Sequence, residues 1–514
     1  MVTVGRIASL HSTATALWVA EDTGVRRRTL QEMQGHAPCR RPCWGVRETV
    51  RQHNRTRGKG GRKVDVKRSQ MSDSVSQGPS VSPRETKQGS SSPTSWTWVD
   101  RSVWTDRMLA ALDNGVKGNK WFSLIDKVRR PDTLHKAWQA VRSKRGAGGV
   151  DGQSVARFAA HEQTYLRELA EALATGDYRA QALRHVEIAK GAGQTRALGI
   201  PTIKDRIVQR ALKQVIEPIF EHEFLPTSYG FRPGRGCKDA LREVDALLKA
   251  GYTHAVDADL QGYFDSIPRE RLMARVEQRI SDGQVLGLIR QWLDQDIVSE
   301  MARWTPTSGT PQGAVISPLL GNIYLHELDV YLRDHGYRMV RYADDLVVLC
   351  ASAHEANQAL DAVRQWVDAN GLSLHPDKTH VGDCRQTGQG FDFLGYRFEA
   401  GRRWVRPKSL TALKDTLRNK TRRTRGDNIE RIIADVNATL RGWFNYFRHA
   451  HRWIFARIDS FVRRRLRALL RKQQKRPGFG QCYADHRRWP NKYFADAGLF
   501  TLNEAWHRAR QSRC

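Results

Sequence analysis

Cysteine is scarce in this chain, seven in 514 residues, and the spacings suggest no pairing, which argues against a disulfide framework and fits a reducing cytoplasm. No apolar run reaches bilayer-spanning length and the start carries no convincing signal sequence, so no membrane role is expected. No repeat of solenoid type is present either. Acidic residues are outnumbered, 54 against 85 Lys and Arg; the formal net charge of +31 and a pI near 10.3 point to a polyanionic partner. That excess is uneven, because residues 401–514 hold 29 basic and 8 acidic side chains, about two-thirds of the net charge. Trp443, Phe444, Tyr446, Phe447, Trp453 and Phe455 are interleaved with these cations, ahead of Arg463-Arg464-Arg465-Leu466-Arg467. Aromatics alternating with cations suit a surface that tracks a phosphate backbone and stacks bases. Trp443, Phe444 and Phe447 also have the spacing of a helix core.

Some of the few acids are placed where they repel each other. Tyr342-Ala343-Asp344-Asp345 lies between Met339-Val340 and Leu346-Val347-Val348-Leu349, which reads as strand, two-residue turn, strand, with two aspartates at the tip. Adjacent carboxylates need a compensating cation, and magnesium is the natural one for hard oxygen donors. Upstream, His254-Ala255-Val256-Asp257-Ala258-Asp259-Leu260 is another strand pattern. Its alternation sends Asp257 and Asp259 to one face and Val256, Ala258 and Leu260 to the other, so spacing does not choose between the two acids. Carboxylates on neighbouring strands holding two divalent ions roughly 3.5–4 Å apart form the clamp for in-line phosphoryl displacement. Further on, Leu320, Ile323, Tyr324, Leu328 and Tyr331 recur at helical spacing after Pro311-Gln312-Gly313, and Ala359 to Ala369 reads as a backing helix.

From about Lys120 to near the C-terminus the chain resembles a group II intron-encoded reverse transcriptase with its maturase region. In order it carries Gly148-Gly149-Val150-Asp151-Gly152, Arg196-Ala197-Leu198-Gly199-Ile200-Pro201, Asp205-Arg206-Ile207-Val208-Gln209 and Tyr229-Gly230-Phe231-Arg232-Pro233-Gly234. The Asp259 segment, Pro311-Gln312-Gly313 with Ser317-Pro318-Leu319-Leu320, and the Tyr-Ala-Asp-Asp box come next. Gly371-Leu372-Ser373-Leu374 with Lys378-Thr379, Phe393-Leu394-Gly395-Tyr396 and Gly442-Trp443-Phe444-Asn445-Tyr446-Phe447 complete the series. The resemblance implies an α+β right-hand polymerase: helical N-terminal extension and fingers, antiparallel-sheet palm, helical thumb or maturase domain. It implies that Asp259, Asp344 and Asp345 are the catalytic acids and hold two Mg²⁺ ions, with Asp257 outside the metal shell. It further implies that Phe264 packs under the sugar of the incoming nucleotide, that Gln312 and Gly313 lie against the template–nucleotide pair, and that Leu394, Gly395 and Tyr396 grip the primer end. Lys190 and Arg196 would meet the triphosphate, although the family tends to have proline where Ala189 and Ala197 stand. Arg463, Arg464, Arg465 and Arg467 would bind RNA.

The expected organisation runs from a basic arm at 1–70 through a Ser/Gly/Pro/Gln-rich linker at 71–96 to the extension and fingers at 97–250. A helix carrying Arg206, Val208 and Leu212 should end before Pro218. The palm follows at 251–400, the thumb at 401–475 and a basic C-terminal segment at 476–514. Cys39 and Cys43, with only His36 nearby, make a weak zinc case, and the arm reads as disordered or as translated upstream intron RNA with Met71 as the true start. The sequence ends soon after Leu502, so the paired cysteines and histidines of an endonuclease domain are not expected. The expected partners are intron RNA template, DNA target or primer and deoxynucleoside triphosphates, in a bacterial cytoplasmic ribonucleoprotein at the nucleoid. Two rivals stay open: a splicing-only RNA-binding maturase, and a related reverse transcriptase recruited to phage defence or DNA repair.

Overall fold

The structure, a computed structural model, describes residues 96–191 and 194–511. The readings of His36, Cys39, Cys43, Met71 and the linker therefore lie outside the described residues. Three sheets organise the rest. The first contains β1 (Leu183–Gly191), β2 (Gln194–Ile200), β4 (Ile297–Val298) and β5 (Arg303–Trp304) in the order β2-β1-β4-β5. The second contains β3 (His254–Asp259), β6 (Arg338–Tyr342), β7 (Asp345–Cys350) and β8 (His380–Asp383) in the order β6-β7-β3-β8, every pairing antiparallel. The third is the antiparallel set β9 (Phe391–Phe393), β10 (Tyr396–Glu399) and β11 (Arg402–Val405).

Period-two alternation in the second sheet separates two hydrophobic cores. Val256, Ala258, Leu346 and Val348 face a core built with the helices Ser317–Asp334 and Ala353–Ala369 and the N-terminal helices. Ala255, Val340, Val347 and Leu349 face a second core, shared with the helix Cys237–Lys249, the third sheet and the C-terminal helices. The helices expected after Pro311 and around Ala359 are both present, the latter starting at Ala353 because Ser352 caps it by accepting from Glu355 N.

The helix Ile203–Glu221 differs from expectation by running through Pro218. Proline removes one backbone donor near the C-terminal end, but Ile207, Leu212, Ile216 and Phe220 are buried around the helix, and packing outweighs the missing bond. In the C-terminal region, the helices Pro407–Lys420, Ile429–Phe447 and Trp453–Gln473 bury Trp443, Phe444 and Phe447 as spacing predicts. The segment after 476 is built into the same core through Trp489, Phe494 and Leu502, with Asp459 accepting from Leu502 N and Asn503 N at 2.9 Å each. Among the described residues, no helix is long and apolar enough to cross a membrane.

Candidate active site

The acidic hairpin turns one residue earlier than its sequence suggested. Tyr342 pairs with Asp345 across β6 and β7, so the two-residue turn is Ala343-Asp344 and Asp345 already belongs to a strand. Ala343 takes φ +60°, a left-handed conformation that a non-glycine residue adopts only when its surroundings enforce it. Two contacts do so. Gly230 lies so close that a β-carbon there would come within 2.2 Å of Ala343 N. Arg341, 1% exposed, donates to Ala343 O at 2.9 Å and Asn322 Oδ1 at 3.0 Å, and makes a fork-like pair with Asp329, Nε to Oδ1 at 2.6 Å. Asn322 Nδ2 in turn donates to Gly230 O at 2.8 Å. Burial alone would lower the Arg341 pKa, but Asp329 outweighs it and, with a smaller contribution from Asp344, raises it, so the cation beneath the tip is permanent. This bracing set was missed in the sequence, although an arginine inside the apolar run Met339-Val340-Arg341 was its visible signal.

Asp259 ends β3 directly opposite Asp345 of β7. Direct antiparallel partners have α-carbons about 4.5–5.5 Å apart, which puts the two acids side by side at the ends of the two central strands, next to the turn that carries Asp344. Asp344 is 3% exposed. The Asp259 carboxylate is ion-paired through Oδ2 to Lys378 Nζ at 2.7 Å. Asp257, two residues back, is pushed up to about 7, chiefly by burial; His380 and a backbone bond from Asp392 oppose the shift, and the charges of Asp392 and Asp259 add to it. Among the described residues, no group of three His, Cys, Asp or Glu side chains is arranged to hold a metal ion.

Next to these acids runs a polar chain from the first sheet to the short helical turn Tyr263–Ser266 that follows β3. Arg196 Nε donates to Gln312 Oε1 at 2.7 Å, and Gln312 Nε2 donates to Asp265 Oδ2 at 2.6 Å. Burial lowers the Arg196 pKa, while Asp344 and Asp265 pull it back; burial raises Asp265, and Arg196 opposes that. Asp265 carried no role in the sequence reading. Gly313, at φ +112°, is required by this junction, because a β-carbon would come within 2.5 Å of Gly199 O while Gly199 N donates to Gln312 O at 2.8 Å. Phe264, 8% exposed, packs its ring edge on Gly321, where a β-carbon would meet Phe264 Cε1 at 3.1 Å. Lys190 lies on β1, and its side chain is outside the described residues.

Leu394 and Gly395 form the two-residue turn between β9 and β10, both with positive φ. Leu394 and Tyr396 are buried. Tyr446 hydroxyl donates to Leu394 O at 2.7 Å, and Tyr396 hydroxyl donates to Tyr446 O at 2.6 Å, so the Leu394 carbonyl and the Tyr396 side chain are both tied to the helix Ile429–Phe447. The arginine run does not act as one surface. Arg467, 3% exposed, donates to Trp489 O and Asn491 Oδ1, both at 2.9 Å, and Arg465 caps the helix Pro407–Lys420 through Thr421 O at 2.8 Å. Arg464 is exposed and Arg463 half-buried.

An antiparallel sheet with paired carboxylates at the ends of its central strands, helices on its back and the arginine-bearing first sheet alongside defines the palm and fingers of an α+β right-hand polymerase. Residues 188–398 match the family described as reverse transcriptase (RNA-dependent DNA polymerase), and residues 410–492 match the group II intron, maturase-specific domain. The chain is 33% identical over 318 residues to Protein YkfC of Escherichia coli (strain K12), covering 53% of this chain and 82% of that protein. It is 34% identical over 206 residues to the group II intron-encoded protein LtrA of Lactococcus lactis subsp. cremoris, covering 40% of this chain but only 34% of LtrA. Among solved structures, a chain of the partial Cas6-RT-Cas1–Cas2 complex is similar at 26% identity and a TM-score of 0.33, covering 50% of this chain and 43% of that one. The chain belongs to the group II intron-encoded reverse transcriptases: an RNA-directed DNA polymerase domain is followed by a maturase-specific domain. Such domains work on nucleic acid, and reverse transcriptases generally use Mg²⁺.

Proposed function

We propose that the chain copies intron RNA into DNA at a site formed by Asp259, Asp344 and Asp345, and that its basic thumb binds the same RNA to assist splicing and mobility. The observation that carries this reading is the cross-strand register of Asp259 and Asp345 beside the braced Asp344. The donor set suits magnesium: three hard carboxylates, one of them already attracting an ammonium to 2.7 Å. Two ions bound there would supply Lewis-acid activation of the primer 3′-oxygen and charge compensation for the leaving pyrophosphate. The protein's own contribution is positioning. Arg196, oriented by Gln312, would meet the triphosphate together with Lys190, and Phe264 would lie under the sugar. Leu394, Gly395 and Tyr396 would grip the primer end as a turn fastened to the thumb, since Leu394 O accepts from the Tyr446 hydroxyl and the Tyr396 hydroxyl donates to Tyr446 O. The proposed setting is a cytoplasmic ribonucleoprotein with a DNA target and deoxynucleoside triphosphates.

Asp344→Asn tests the assignment. DNA synthesis on an RNA template should fall below detection in primer extension while binding of a structured group II intron RNA survives. Continued synthesis would remove Asp344 from the catalytic set.

A further inference from the structure

We propose that Lys378 is a resident counter-cation that competes with the divalent ion for Asp259 and thereby sets the metal affinity of the polymerase site. This rests on the reading that Asp259, Asp344 and Asp345 hold that ion. Lys378 Nζ sits 2.7 Å from Asp259 Oδ2, and Asp259 is its one ion-pair partner among the described residues. The lysine is delivered there by a loop fastened to Asp259 itself. His375 N donates to Asp259 O at 2.7 Å, Asp259 N to Thr379 Oγ1 at 3.4 Å, and Thr379 N to His375 O at 3.0 Å, after which β8 begins at His380 opposite Asp257. The anchor is therefore local, independent of how fingers or thumb are disposed.

The geometry makes the two cations rivals for one carboxylate. A magnesium ion on Asp259 would draw on the same negative charge that now holds the ammonium, and the two positive charges would repel each other across it. The exchange is easy for the lysine, because its side chain is 53% exposed and its flexible stem lets Nζ withdraw into water. A half-exposed ion pair is weak, so the competition should be modest and salt-sensitive.

The test is a Mn²⁺ titration of the full chain without nucleic acid, following the signal of the free ion by electron paramagnetic resonance. Lys378→Gln should bind Mn²⁺ about three- to fivefold more tightly than the parent, a gap that narrows at high salt. Lys378→Arg, which keeps the charge, should bind no more tightly than the parent. Unchanged or weaker binding in Lys378→Gln, with the parent's cooperative melting curve, overturns the proposal; Lys378→Met serves identically should the glutamine variant melt early. Asp344→Asn separates the two readings. If it leaves Mn²⁺ binding intact, the metal-site reading itself fails; if it weakens binding while Lys378→Gln does not tighten it, only the role of Lys378 fails.

Discussion

Replacing Phe264 by valine removes the ring that packs on Gly321, and two effects then have to be told apart. Truncating a buried aromatic costs stability, about 1–3 kcal/mol for so partial a cut. Under the proposed role it also opens space beneath the sugar, so the ratio of ribonucleotide to deoxynucleotide kcat/KM should rise by about tenfold or more. A ratio measured on one enzyme preparation is insensitive to the fraction folded. Primer extension with each nucleotide class supplies it, and an unchanged ratio beside a lowered melting temperature would leave Phe264 as a core residue only. Nearby, Tyr263 hydroxyl donates to Gly321 O at 2.5 Å, tying the same short helical turn to Ser317–Asp334, which limits how far the backbone collapses into the space vacated.

The acidic hairpin depends on elements that touch it from behind. A methyl group at Gly230 would meet Ala343 N at 2.2 Å, a backbone contact with no flexible end to yield, so Gly230→Ala must push the turn outward. A displacement on the order of 1 Å at reacting groups costs about a hundredfold in rate. Gly230→Ala should therefore lower kcat for DNA synthesis by roughly that factor while intron RNA binding, which draws on other surfaces, is retained; single-turnover extension and filter binding check the two halves. Elements of this kind were unevenly legible. The strands, the helix after Pro311 and the backing helix were readable because period and burial agree there. The position of the turn was not, since Tyr342 pairing with Asp345 is fixed by Arg341 and Gly230, contacts separated by up to about a hundred residues of sequence. The end of Ile203–Glu221 was misjudged for the same reason: local chemistry at Pro218 lost to packing on all sides.

At the scale of the whole molecule, charge counts overstate the nucleic-acid surface. A run such as Arg463-Arg464-Arg465-Leu466-Arg467 winds around a helix, so its members face different ways. Arg467 donates to Trp489 O and Asn491 Oδ1, holding the C-terminal segment on the thumb, and Arg465 closes the neighbouring helix. Arg464 instead lies over the Phe461 ring at 5.5 Å and lines an open groove with Lys414 and Arg457. The two classes should separate in salt titrations of intron RNA binding. Removing Arg463 and Arg464 together should flatten the slope of log affinity against log salt by about 1.5, as expected for two phosphate contacts, without moving the melting temperature by more than a degree or two. Arg467→Ala should do the opposite. It strands buried acceptors and loosens the segment, lowering stability by about 2–4 kcal/mol with little change in the salt slope of the folded fraction. Equal slopes in all three proteins would place the RNA elsewhere on the basic surface.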